Sequence, residues 1–63
     1  HEPPHVHVDH PDGTVVVVLL EASRKTAVRE AHGSVSAAEI RRITIITEEH
    51  FETLLAIWSR YHR

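Results

Sequence analysis

Six consecutive apolar residues, Val15-Val16-Val17-Val18-Leu19-Leu20, constrain the fold of this chain more than anything else in it. Valine is β-branched, so it loses rotamer freedom in a helix and sits well on a pleated sheet. A strand sends successive side chains to opposite faces, so this one is apolar on both. Such a pattern belongs to a sheet covered on both faces. A two-stranded hairpin alone is only marginally stable in water, and an uncovered Val/Leu edge invites aggregation. A third strand, a second chain, or both are therefore expected.

The length sharpens that demand. Sixty-three residues make one small domain, taken as 1–63, and a chain of this size buries only about 60% of its unfolded surface. Cysteine and methionine are both absent, so no disulfide can compensate. The remaining staples are a metal, a partner chain or self-association. The missing initiator methionine suggests a processed or trimmed start, with a piece of the natural domain removed. No apolar run approaches the ~20 residues of a membrane span, and no signal-peptide pattern is present. With no cysteine, a reducing, cytoplasmic location is expected.

Net charge is -2 with neutral histidines, but it is unevenly placed. Glu2, Asp9, Asp12 and Glu21 fall in residues 1–23 without a single Lys or Arg. All seven basic residues follow: Arg24, Lys25, Arg29, Arg41, Arg42, Arg60 and Arg63. This is not the strongly basic profile of a nucleic-acid binder, although those residues could form a local patch. The seven histidines would turn the chain positive below about pH 6.

Residues 4–10 read as a strand and Thr14 to Leu20 as its antiparallel partner, joined by His10-Pro11-Asp12-Gly13-Thr14. Proline presets φ for the first turn position and glycine accepts a left-handed bulge. A type I turn with that bulge pairs His10 with Thr14, His7 with Val17 and His5 with Leu19. Val6, Val8, Val16, Val18 and Leu20 then form the core face of a 4–20 hairpin. The other face carries His5, His7 and Asp9 beside Val15, Val17 and Leu19, and those three apolar residues become the expected interface. Residues 21–35 read as a loop or short helix ended by Gly33. Ser36-Ala37-Ala38-Glu39 matches a capping box. Apolar residues then recur near a 3.6 period at Ile40, Ile43, Ile46, Phe51, Leu54, Leu55, Trp58 and Tyr61, predicting a helix over 36–62. The β-branched Thr44-Ile45-Ile46-Thr47 run lowers helix propensity, so a break near Thr47 is the alternative.

The chemistry-bearing feature is the first strand, where four of the seven histidines lie in the first ten residues around Pro3-Pro4. His5 and His7 start about 6.6 Å apart on one face and could share a metal ion. Asp9 is about 13 Å from His5 along the strand, too far to join both histidines. A complete site would borrow a ligand from His1, Glu21 or a second chain. A 2-His-1-carboxylate or three-His set would suit Zn, Ni or Fe. The same two histidines could instead act as general base and acid on a phosphodiester, although no lysine on the strand stabilises the developing charge. They could also simply be polar residues of a half-exposed sheet. His10 reads as a turn residue, and Trp58 and Tyr61 as core.

The run Glu2-Pro3-Pro4-His5-Val6-His7-Val8, followed by a glycine turn and an apolar strand, resembles the small bacterial domain-of-unknown-function family four-one-six-zero. Gly33, Ser36-x-x-Glu39-Ile40, Glu48-Glu49-His50 and Leu54-Leu55-x-x-Trp58 resemble its helical half. The resemblance covers essentially the whole chain. Two features depart from it: family members usually have one or two strands before the PPHxHV strand, and often an aromatic where this chain has Val6. The resemblance implies an α+β domain often encoded beside a partner gene in toxin–antitoxin-like arrangements, and it assigns no catalytic residue.

The expected architecture is therefore α+β, a β-hairpin packed on a long C-terminal helix. The leading functional expectation is a protein-interaction component of a toxin–antitoxin-like module, a homo-oligomer or bound to a cognate partner through its sheet. The alternative is a metal-dependent or histidine-based hydrolase, an RNase being one form, with His5 and His7 as its catalytic residues. A structural domain whose histidines only tune stability is the third possibility.

Overall fold

The structure, a computed structural model, describes residues 2–62. Three strands, β1 (His5–His10), β2 (Gly13–Leu20) and β3 (Lys25–Gly33), precede two helices, α1 (Ala37–Glu49) and α2 (Phe51–Tyr61). The strands form one antiparallel sheet in the order β1-β2-β3. The fold is α+β, and the apolar β2 strand occupies the middle of the sheet.

The demand for a third strand is met from within the chain. β3 lies where a loop or short helix was predicted, and its composition hides it. Every residue of β3 is exposed except Thr26, so it shows no apolar alternation. Its entry is a turn over residues 21–24 in which Arg24 adopts φ 60° and donates its N–H to the Leu20 carbonyl at 2.9 Å.

The hairpin register differs from the predicted one by a single residue. His10 pairs with Gly13, His7 with Val16 and His5 with Val18, so the loop is the two residues Pro11-Asp12. A one-residue slip sends every β2 side chain to the opposite face. Val15, Val17 and Leu19, predicted as an interface, are instead fully buried on the helix side. Val15 and Val17 cluster with Ile43, and Val6, Val8, Val35 and Ile40 pack against them. Burying each such side chain is worth about 1.5–3 kcal/mol before the opposing entropy is counted.

Gly13 is not a bulge residue but a close-approach residue. It pairs with Gly33 across β2 and β3. A Cβ on Gly13 would lie 1.9 Å from the His32 carbonyl oxygen, and one on Gly33 (φ 91°) 2.4 Å from the Asp12 carbonyl oxygen. Ser34 N–H closes the same junction onto the Asp12 carbonyl at 2.8 Å.

α1 starts as its sequence requires, with Ser36 Oγ accepting the Glu39 N–H at 3.2 Å. The Glu39 carboxylate turns instead to His10 Nε2, at 3.4 Å. His10 Nδ1 accepts the Asp12 N–H, which leaves Nε2 as the protonated nitrogen of the neutral ring, facing Glu39. His10 thus ties the β1–β2 turn to α1. At the other end of α1, Glu48 accepts the Thr26 N–H at 3.0 Å, and Thr26 Oγ1 donates to the Thr44 carbonyl.

The helical segment is broken, as the alternative reading allowed, but at His50. Thr44 and Thr47 hydroxyls donate back to the Ile40 and Thr44 carbonyls, a habit that loosens a helix. His50 leaves helical geometry (φ -105°, ψ 23°), and α2 begins with Phe51 buried.

Candidate functional site on the open sheet face

The helices lie against the Val6/Val8/Val15/Val17 face, so the site can be read from what the other face presents. Cα partners share a face in an antiparallel ladder. The rows on the open face are His5–Val18–Ala27, His7–Val16–Glu30 and Asp9–Thr14–His32. His7, Asp9, Glu30 and His32 are exposed, whereas Val16 is buried between its two long neighbours.

β3 adds a residue to this face through an irregularity. Val17 pairs with Val28 and Val16 with Glu30, leaving Arg29 as the extra residue of a β-bulge. Bulges re-aim side chains. Here Arg29 Nη1 reaches Glu2 at 3.1 Å while its Nε lies 3.9 Å from Glu30. Two sequence neighbours therefore serve the same polar row. Glu30 in turn accepts from His32 Nε2 at 2.7 Å. The Arg29 guanidinium holds the Glu2 carboxyl below its ordinary value, and His32 does the same for Glu30.

The two strand histidines are close together, with ring centroids 5.5 Å apart. His5 Nδ1 lies 3.0 Å from the Pro3 carbonyl oxygen. A carbonyl only accepts, so Nδ1 carries the proton and Nε2 keeps its lone pair. The stiff Pro3-Pro4 pair thereby has a role, since it fixes both the tautomer and the orientation of His5. Pro4 itself is buried and its carbonyl accepts the Leu19 N–H at 2.8 Å.

The predicted metal set is only partly assembled. His1 lies outside the described residues. Glu21 sits in the β2–β3 turn. Among the described residues no three His, Asp or Glu side chains are grouped closely enough to hold a metal ion. His5 and His7 are brought together; Asp9 remains further along the strand.

A groove of about 530 Å³ lies beside this face, where Pro3, Pro4, Leu19 and Leu20 meet Trp58 and His62. The Trp58 and His62 rings stack at 4.4 Å, and His62 Nδ1 donates to the Trp58 carbonyl. Trp58 is half-buried rather than deep in the core, and its Nε1 has no partner among the described residues. Glu2 and Glu21 also line the groove, and Glu2 is held by Arg29.

Among the described residues four of the basic side chains lie in ion pairs. Arg24 pairs with Glu52, Lys25 with Glu48, Arg29 with Glu2 and Arg42 with Glu39. Arg63 lies outside the described residues. No helix among them is long and apolar enough to cross a membrane.

The family model for a domain of unknown function, DUF4160, matches residues 1–59. The chain belongs to the DUF4160 family. No curated protein and no solved structure matches it. The DUF4160 match spans β1 with its histidine pair, the bulged β3 and Trp58. Sequence reasoning placed Arg29 only in a possible basic patch and missed Glu30, because residues 21–35 read as a loop or short helix and not as a strand. The only sequence signal was a charged pair inside an otherwise weak strand.

Proposed function

We propose that this chain is a protein-interaction component of a bacterial toxin–antitoxin-like module and that it associates through its sheet. The observation that carries this reading is the one-sided packing of the sheet. Both helices leave the His7/Asp9 part of this face open, with Val18 half-buried and Leu20 exposed, while Trp58 of α2 reaches the half-buried His5 at its end. A small apolar centre with a polar rim is the anatomy of a transient interface. The toxin–antitoxin setting is what the family resemblance implies. Sedimentation equilibrium at micromolar concentration is expected to show an associated species while circular dichroism shows a native fold. A folded monomer at that concentration would overturn the reading.

A hydrolase acting on a phosphodiester is the second reading, favoured by Arg29. A cation missing from β1 is supplied from β3 by the bulge, on the same face as the histidine pair. His5 and His7 would exchange protons with the substrate, and Arg29 would stabilise charge on the phosphate. A metal-dependent form would use His5 and His7 as ligands. Cleavage of a single-stranded RNA is expected to fall at least about 100-fold in a His5→Ala/His7→Ala double variant. Equal rates would remove this reading.

A further inference from the structure

We propose that two copies of the chain pair through β1, antiparallel about His7, and that this pairing completes a divalent-metal site from His5 and His7 of one copy and Asp9 of the other. The dimer presupposes the association through the sheet proposed above, and it specifies the edge, the register and the ligand.

The two edges of the sheet are unequal. β3 is bulged at Arg29, and its first outward N–H, that of Thr26, is capped by Glu48. Bulges and covered edges discourage strand addition. β1 is regular along its whole length. Leu19 N–H bonds to the Pro4 carbonyl, and hydrogen-bonded pairs alternate along an antiparallel ladder. Val6 and Val8 therefore turn their main-chain groups toward β2. His5, His7 and Asp9 turn theirs outward.

Those outward groups are spaced for a second copy of the same strand. With the two-fold axis at His7, His7 meets the partner's His7, and His5 meets the partner's Asp9. All three positions that offer main-chain groups then meet positions that offer them. On the helix side Val6 meets the partner's Val8, so half-buried valines cover each other. The sequence His5-Val6-His7-Val8-Asp9 is complementary to its own reverse: histidine opposes carboxylate at both ends and valine opposes valine between them.

The same register removes the obstacle to a metal site within one copy. Along one strand His5 and Asp9 are about 13 Å apart. Directly opposed residues of a hydrogen-bonded pair have Cα atoms only about 5.5 Å apart. The partner's Asp9 thus stands beside His5, and His7 stands one same-face step away. His5 and His7 already have their rings 5.5 Å apart, and the Pro3 carbonyl fixes His5 with Nε2 available. A carbonyl on the far nitrogen is the usual support of a metal-bound imidazole. Two imidazoles and a carboxylate suit Zn²⁺ or a neighbouring transition ion.

The test uses untagged protein in sedimentation equilibrium, with EDTA or with Zn²⁺, together with zinc content after desalting. The expected result is a dimer carrying about one zinc per chain, with EDTA raising its dissociation constant at least about tenfold. Asp9→Asn and His7→Ala should each abolish the zinc response, and His32→Ala should leave it intact. A mixture of Asp9→Asn with a His5→Ala/His7→Ala variant should recover about a quarter of the wild-type zinc, since random exchange makes half of the dimers mixed and each mixed dimer holds one whole site of the two. Dimers indifferent to zinc and to Asp9→Asn would overturn the metal site while sparing association through the sheet. Monomers under every condition would overturn both.

Discussion

Phe51→Ala is expected to lower stability by about 3–5 kcal/mol, measured by chemical denaturation. Phe51 is 4% exposed and is the first residue of α2, where the helical segment restarts after His50. A domain of this length has only about 3–9 kcal/mol of stability in total, so the variant should be largely unfolded near physiological temperature. Ile57→Ala, on the exposed side of α2, should change stability by less than about 0.5 kcal/mol. A Phe51→Ala loss below about 1 kcal/mol would mean that α2 does not dock through its first turn. Trp58, read from the sequence as core, is half-buried and should cost less than Phe51.

Leu19→Ala is expected to cost about 2–5 kcal/mol, and Leu20→Ala less than about 1 kcal/mol. Leu19 is 1% exposed and Leu20 41%. The contrast reports the hairpin register directly, because the predicted three-residue loop would have put Leu20 in the core and Leu19 on the open face. Equal losses at the two positions, or a larger loss at Leu20, would refute the two-residue loop Pro11-Asp12.

That register shows where sequence reasoning stops. The helical half was legible because Ser36, Ile40, Ile43, Phe51 and Trp58 repeat with one period and only one face can be buried. Even the break was foreshadowed by four β-branched residues in a row. The strand half was legible as a hairpin, but Val15 to Leu20 are apolar on both faces and thus carry no preference between them. Only the contact of Gly13 with Gly33 fixes the slip, and it depends on a third strand that lacks any apolar pattern. For the site, the sequence placed His5, His7 and Asp9 on one face. The bulge that adds Arg29 and Glu30 is a pairing irregularity, visible only once both strands are aligned.

The strand order carries a kinetic meaning as well. Each strand pairs with its neighbour in sequence, and α1 follows β3 onto the sheet. Nearly every step of assembly is a short loop closure, for which the entropic cost is small. The exception is the seam where α2 returns to β1, bringing the Trp58 ring to 6.5 Å from His5. Among the described residues it joins the two ends of the chain, the longest loop closure in the fold. When it opens, the three-stranded meander stays intact while the Trp58 ring leaves His5.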